Sequence, residues 1–224
     1  SAAPARMQGW FVDSLVKVFP QTRPLADTAR VPEFVVARNA HLSIQLAVRS
    51  ASDLAEVTGR VEPPRSPDGA TIDDAVLRQV GYVVVGSNTG EVPASELVGE
   101  APGWYPDVLL PLPAALKAGR TQSFWVTIHV PAAAAPGVYR GRIRLEAGGR
   151  TLVARPFRVK VVAATVPEAR SLRVTNWFRS GDRDSRQFFG APLFSDTWWK
   201  LHANVAAFMR DHRQNTILTP IGQL

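Results

Sequence analysis

Strict alternation of apolar and other residues is the feature that most limits which folds this chain can adopt. It occurs in three segments, residues 42–49, 123–130 and 139–145. A repeat of two places every second side chain on the same face of a strand, so each segment predicts a strand with one buried face. The residues predicted to face the core are Leu42, Ile44, Leu46, Val48, Phe124, Val126, Ile128, Val130, Ile143 and Leu145.

Turn-forming residues divide the first 168 residues into short strands. The chain contains 18 prolines and 16 glycines, which suits strands joined by tight turns. Gly148 and Gly149 predict a hairpin into a strand over residues 152–162, and Pro156 within it predicts a sheet edge or a bulge. The remaining expectations are strands at residues 10–18 and 80–85, a loop at residues 63–69 and irregular structure at residues 104–113. Together these patterns predict a mainly β protein, with a two-sheet antiparallel β-sandwich over residues 1–168.

The pattern changes after residue 168. A short strand is predicted at residues 172–178, a polar loop at 179–194 and a second strand at 216–219. Between them Ser195 is a candidate N-cap, and Asp196 lies in the first turn, where the helix dipole favours an anion. The helix residues with apolar spacing are Trp198, Leu201, Val205 and Phe208, followed by Arg210 and Arg213 in the last turn and by Asn215 at the end.

A strand–helix–strand unit over residues 169–224 is one unit of a parallel α/β fold. A single unit cannot bury both of its faces, so we expect a truncated second domain. The exposed faces of this unit would be covered by the remainder of that domain or by a second copy of the chain.

Charge and composition exclude several functions. The net charge is +7, but the positive residues are scattered and form no basic run, so nucleic acid binding is not expected. The absence of cysteine, of a phosphate-binding glycine loop and of histidines at metal-ligand spacing predicts no metal and no cofactor. No apolar run is long enough for a membrane span. The small residues 1–5 suit either the remnant of signal-peptide cleavage, which would make the protein secreted or periplasmic and bacterial, or an arbitrary boundary.

Four segments carry a resemblance to a known family. Residues 13–20 and 136–141 are similar to the N-terminal domain of glycoside hydrolase family 123 and its relatives, and residues 198–200 and 213–220 resemble that family's barrel start. The resemblance implies a sandwich followed by a (β/α)8 barrel that hydrolyses N-acetylgalactosaminides with help from the substrate's acetamido group. It also implies an adjacent Asp-Glu pair on a later barrel strand, and this sequence contains no Asp-Glu dipeptide.

The resemblance therefore predicts a non-catalytic accessory domain of a carbohydrate-cleaving enzyme, inactive by itself. The alternative is a stand-alone carbohydrate-binding or adhesion module. Such a module requires exposed aromatic residues in a row, and Trp104, Tyr105 and Trp125 are dispersed along the sequence.

Candidate substrate-binding residues follow from the barrel expectation, because barrel sites lie at the carboxyl ends of strands. Asn176 and Trp177 would end the first barrel strand and Thr219 the second. Asn bonds to hydroxyls and Trp stacks on sugar rings, although Trp177 could equally pack against the sandwich. Phe188 and Phe189 in the long loop either line a cleft or anchor the loop.

Two charged groups in the predicted sandwich have a structural and a functional interpretation. Asp73 and Asp74 form the only adjacent acid pair, and a solvated turn is favoured over a catalytic role. Arg140, Arg142 and Arg144 project to one side of a strand. They either form a solvated outer face, which is favoured, or bind an anionic glycan or a partner.

Overall fold

The computed structural model describes residues 7–24, 30–175 and 181–216. These residues form ten strands and two α-helices, with a short 3-10 helix at Ala94–Glu96. The elements are β1 Met7–Val12, β2 Glu33–Arg38, β3 Ala40–Ser50, β4 Leu54–Arg65, β5 Ala75–Val85, β6 Gly103–Leu110, β7 Ala114–Leu116, β8 Thr121–Val130, β9 Gly137–Ala147, β10 Arg150–Thr165, α1 Asp182–Phe189 and α2 Asp196–Asp211. The contacts divide the chain into two compact units, residues 1–166 and residues 167–224.

Two five-stranded sheets make up the first unit. The front sheet has the strand order β1-β3-β8-β5-β6, and the back sheet has the order β2-β10-β9-β4-β7. All pairs are antiparallel except β2 with β10, which run parallel. The expectation of a wholly antiparallel sandwich therefore fails at this pair. The physical reason is that β2 turns at Asn39, which has φ 56°, directly into β3 of the other sheet, so no hairpin sets its direction.

The core lies between the sheets and confirms the prediction from alternation. Phe124, Val126, Ile128, Ile143 and Leu145 all have 0% exposure. Ile44, Leu46, Val48 and Val130 are equally buried, and Leu42 packs against the same cluster while half-buried. Burial of each of these side chains stabilises the fold by roughly 1.5–3 kcal/mol, so the three alternating segments supply much of the driving force.

The sequence-based prediction is wrong at two strands that contain proline, which was interpreted as a sign of loop. The predicted loop at residues 63–69 begins inside β4, which continues through Pro63 and Pro64 to Arg65. The predicted irregular stretch at 104–113 contains β6, with Pro106 inside it. Proline is tolerated in both places because the β4–β9 ladder has a register shift between Glu62 and Arg65, and because β6 is an edge strand.

Other strand boundaries also differ from the sequence-based expectations. The first strand ends at Val12 instead of residue 18, because the chain then turns at residue 13. The strand predicted at 80–85 begins five residues earlier, at Ala75. The expectation for Pro156 is confirmed. Pairing of β10 with β2 begins only at Arg158, so Pro156 has a hydrogen-bonding neighbour strand on one side alone.

The second unit contains two helices. The predicted strand at 172–178 is wrong for residues 172–175, which are not strand, and its remainder lies outside the described residues. Most of the strand predicted at 216–219 also lies outside them. The predicted polar loop at 179–194 contains α1. Asn215, the expected end of the helix, contacts residue 174 instead, because its Oδ1 accepts a hydrogen bond from the backbone N–H of Val174 at 2.9 Å.

Helix α2 begins as predicted. The hydroxyl of Ser195 accepts a hydrogen bond from the N–H of Trp198 at 3.2 Å, which is the N-cap contact. Its buried face differs from the prediction, because Trp198 and Met209 are buried whereas Phe208 is 61% exposed. Residues 198 and 209 are three turns apart and share a face, and residue 208 is displaced by most of a quarter turn.

Candidate functional site

The predicted substrate-binding residues Asn176, Trp177 and Thr219 lie outside the residues that the structure describes, and their role stays a prediction. The phenylalanines predicted in the long loop are on helix α1. Phe188 is 67% exposed and Phe189 is 49% exposed. They therefore present aromatic surface on the second unit rather than forming part of its core.

The acid pair is a solvent-exposed feature. Asp73 Oδ2 accepts a hydrogen bond from the hydroxyl of Thr71 at 2.8 Å, and Asp74 lies 3.4 Å from Nδ1 of His129. The two carboxylates thus contact partners on different parts of the chain. Glycoside hydrolysis needs two carboxyl groups that face one bond across a pocket, so this arrangement fits the solvated interpretation.

Two histidines that are distant in the sequence lie next to each other in the structure. His41 on β3 and His129 on β8 are directly opposite each other, and their ring centroids are 4.8 Å apart. The strand register brings them together although 87 residues separate them in sequence. Among the described residues, no group of three or more His, Asp and Glu side chains could hold a metal ion.

The part of the chain that follows β1 crosses the outer face of the front sheet, and it includes residues 13–18 of the predicted first strand. We call residues 13–22 the crossing segment. Gln45 on β3 donates from Nε2 to the carbonyls of Asp13 and Val16 at 3.0 and 2.9 Å. The hydroxyl of Tyr82 on β5 donates to the carbonyl of Val18 at 3.1 Å. These bonds attach the segment to two strands. Val18 of the segment packs with Trp10 of β1 and Ala47 of β3 in a small second apolar cluster.

A shallow pocket of about 250 Å³ lies beside the crossing segment. Residues 14–17 form one wall, and Trp125, Asp107 and Leu109 are among the residues of the sheet that line it. Its volume is below the 300–1,000 Å³ typical of ligand sites, so it has room for little more than part of a small ligand.

The aromatic residues of the front sheet do not form a binding platform. Trp125 is paired with Arg78 and Trp104 with Val84, both on β5. Six residues of strand separate those partners, which corresponds to about 20 Å. The two indoles are therefore too far apart to stack on neighbouring sugar rings of one chain. This separation disfavours the stand-alone carbohydrate-binding module.

The predicted one-sided arginines lie on the outer face of the back sheet. Arg144 donates from Nη2 to Glu62 at 2.7 Å, and Arg60 lies 3.1 Å from Glu146. Arg142 is 3.8 Å from the other oxygen of Glu62. The sequence offered a signal for these partners, because acidic and basic residues alternate along one face of β4.

Within the described ranges, three ionisable groups have shifted pKa values, and none suits a general acid. The backbone N–H of Ala118, and then Lys117, lower the pKa of Asp53. The Ser66 hydroxyl lowers the pKa of Asp68. A general acid at neutral pH needs the opposite direction. Burial raises the pKa of Tyr82 to about 12, which keeps its hydroxyl available as the donor to the crossing segment.

Comparison with known proteins identifies the family. The profile of the glycoside hydrolase 123 N-terminal domain matches residues 20–147, which is more than half of the chain. This chain belongs to the glycoside hydrolase 123 N-terminal domain family. No curated protein matches its sequence.

A solved structure supports the same fold. A family 123 glycoside hydrolase from Clostridium perfringens, studied for glycolipid glycan hydrolysis, superposes on this glycoside hydrolase 123 N-terminal domain with a TM-score of 0.75 at 13% identity. The match covers 94% of this chain but only 37% of that enzyme. A Niemann-Pick type C2 protein from the Japanese carpenter ant is also similar, with a TM-score of 0.33, 11% identity, and coverage of 69% of this chain and 92% of its own.

Neither helix in the described ranges of this glycoside hydrolase 123 N-terminal domain is long and apolar enough to cross a membrane.

Proposed function

We propose that this chain is a non-catalytic accessory domain of a glycoside hydrolase and that its sandwich supports a catalytic (β/α)8 barrel. The observation that carries the proposal is the family match over residues 20–147. The fold match to a family 123 enzyme, of which this chain spans 37%, is consistent with a supporting part of a larger protein. The parent enzyme would be N-acetylgalactosaminidase-like, with the substrate's acetamido group assisting hydrolysis.

The exposed carboxylates of the first unit support a non-catalytic role. The reaction requires one carboxyl group to protonate the leaving oxygen and a second to orient the acetamido group. Asp73 and Asp74 are the adjacent acids, and both are solvent-exposed with separate partners. We infer that the catalytic pair belongs to the barrel.

The second unit is proposed to be the beginning of that barrel. Its exposed aromatic side chains support this assignment, because each large ring can bury on the order of 150–250 Å² against a neighbour. The exposed rings are Phe188, Phe189, Phe194, Trp199 and Phe208. Further barrel strands and helices would cover them, or alternatively a second copy of the chain.

The test compares this chain with its intact parent enzyme on a chromogenic N-acetylgalactosaminide. We expect no turnover by the 224-residue chain and turnover by the parent. In the parent, Asp73→Asn and Asp74→Asn should leave kcat and KM unchanged, because these acids belong to the sandwich. Turnover by the chain alone that either substitution abolished would overturn the non-catalytic assignment.

The supporting role has its own measurement. Removal of residues 1–166 from the parent should lower the melting temperature of the barrel, while KM for the small substrate stays within about twofold in the molecules that remain folded. An unchanged melting temperature would contradict the supporting role.

A further inference from the structure

Three arginines lie in a row across the outer face of the back sheet. Arg65 on β4 is directly opposite Arg140 on β9, and Arg140 is directly opposite Arg158 on β10. Neighbouring strands are about 4.8 Å apart, so the row is about 10 Å long. Like charges directly opposite each other destabilise a sheet, which makes such a row unexpected in a surface whose only role is structural.

The other arginines on the same face have carboxylate partners. Arg144 and Arg60 each have a carboxylate within about 3 Å, and Arg142 is close to Glu62. The side chains of Arg140 and Arg158, by contrast, form no ion pair or hydrogen bond with any residue that the structure describes. Glu33 is opposite Arg158 on β2, yet no ion pair forms between them. Among the arginines of this face, those of the row are therefore the ones that lack a carboxylate partner within the described residues.

The row lines a groove, which we call the arginine groove. It has a volume of about 590 Å³, and its lining includes Arg65, Arg140, Arg142 and Arg158 together with Glu62, Gly141 and Phe157. Gly141 has no side chain, and Phe157 is only 1% exposed because its ring faces the core. Backbone therefore forms much of the floor, and four guanidinium groups surround a concave space with one carboxylate, Glu62.

We propose that the arginine groove binds the anionic groups of an acidic polysaccharide, as sulfate esters or carboxylates. A guanidinium group stays charged at all physiological pH values and presents paired N–H donors that match the oxygens of either group. Several guanidinium groups within about 10 Å suit a polymer that carries an anionic group on each sugar residue. Bound anions also relieve the repulsion along the row.

A nucleic acid is the competing ligand, and the groove suits it less well. Proteins that bind single strands add exposed aromatic rings for base stacking, and the only aromatic residue of the groove is the buried Phe157. The choice of a polysaccharide rests on the proposed function, namely a domain of a glycan-cleaving enzyme.

The test measures binding of the 224-residue chain to dextran sulfate by isothermal titration calorimetry, with neutral dextran as the uncharged reference. Polygalacturonate replaces sulfate by carboxylate and separates the two sources of negative charge. We expect Arg140→Ala to weaken binding to at least one of the acidic polymers about tenfold or more, and neutral dextran not to bind. Arg140→Lys should give an intermediate loss, because lysine keeps the charge but not the fork of donors.

Arg150→Ala is the matched control. Arg150 is exposed at the start of β10, eight residues and about 26 Å along the strand from Arg158, and its substitution removes the same charge. We expect it to change affinity less than twofold. The melting temperature of Arg140→Ala should equal or exceed that of the unmodified chain, because the substitution relieves repulsion; Arg158→Ala provides a second variant with the same expected loss.

Three results would overturn the proposal. The first is an equal loss of affinity in Arg140→Ala and Arg150→Ala, which would indicate attraction by net charge alone. The second is tighter, Arg140-dependent binding of a single-stranded DNA oligonucleotide than of either acidic polymer. The third is no binding of any acidic polymer. These experiments use only this chain, so their failure is distinct from a failure of the proposed function, which is tested by hydrolysis and stability of the parent.

Discussion

Replacement of Gln45 by leucine should weaken the attachment of the crossing segment to the front sheet. Gln45 is 3% exposed. Its Nε2 donates to two carbonyls of the crossing segment, and its Oε1 accepts a hydrogen bond from the hydroxyl of Ser123 at 2.8 Å. Leucine has a similar volume, so the substitution removes these three hydrogen bonds without a large cavity.

The expected loss in free energy of unfolding depends on whether each former hydrogen-bond partner of Gln45 finds another partner. The carbonyl of Asp13 keeps the hydrogen bond from the backbone N–H of Val16, and Val16 is 53% exposed, so water can reach its carbonyl. Each of these two bonds contributes about 1 kcal/mol. Ser123 has 0% exposure, so its hydroxyl is left without that acceptor, at a cost of about 1–3 kcal/mol. We therefore expect Gln45→Leu to lower the free energy of unfolding by about 3–5 kcal/mol.

Urea unfolding followed by far-ultraviolet circular dichroism measures this change, and a double-mutant cycle isolates its cause. Ser123→Ala alone should cost about 1 kcal/mol. The double variant Gln45→Leu/Ser123→Ala should be less destabilised than the sum of the single variants by about 2–4 kcal/mol, because no unpaired hydroxyl remains. Additivity within about 0.5 kcal/mol, or a Gln45→Leu variant as stable as the unmodified chain, would refute the assigned role of Gln45.

Three further predictions concern other parts of the fold. Ionisation of Tyr82 is disfavoured in the folded state, so the folded chain holds its proton more tightly than the unfolded chain, and stability should fall as pH rises from about 10 to about 12. Partial solvent access reduces the expected loss to about 1 kcal/mol, and Tyr82→Phe should flatten this part of the pH profile. Ser195→Ala should destabilise the helix that it caps by about 1 kcal/mol, seen as faster amide exchange in the first turn. Gly141→Ala should cost about 1–3 kcal/mol in urea unfolding, because its Cβ would lie 2.6 Å from the buried ring of Phe157, whereas Gly86→Ala, with open space around it, should be nearly neutral.

Each of these predictions has a contrary outcome. An unchanged alkaline slope in Tyr82→Phe would show that other groups control stability there. Ser195→Asp keeps an acceptor at the cap and should restore slow exchange, so equal exchange in the alanine and aspartate variants would contradict the capping role. Equal stability of the Gly141→Ala and Gly86→Ala variants would show that the Phe157 ring can move aside at no cost.

The core was predictable from the sequence because a period of two directly reports which side chains share a face. The residues of β8 and β9 were therefore identified correctly. Strand β6 was missed because Pro106 is tolerated only at a sheet edge, and sequence does not reveal which strand will be the edge. Helix α1 was missed because its eight residues include few apolar positions from which to establish a helical period.

Contacts that depend on strand register were beyond sequence-based prediction. His41 and His129 meet only because β3 and β8 pair in one particular alignment. The arginine row has the same origin, since Arg65, Arg140 and Arg158 belong to three strands. The sequence predicts which side chains of one strand share a face, but it does not predict which side chains of different strands become neighbours.

The parallel pairing of β2 with β10 has a consequence for the chain during its synthesis. In the back sheet β2 pairs with β10, the last strand, and the side-chain amide of Asn39, just after β2, donates to the carbonyl of Val166, 127 residues later. β2 therefore cannot pair until β10 has been made. At about 5–20 residues per second, ribosomes need roughly 6–25 s to make that stretch. Throughout this interval the edge of β2 has no partner, and a chaperone or a neighbouring nascent chain can reach it before β10 is made.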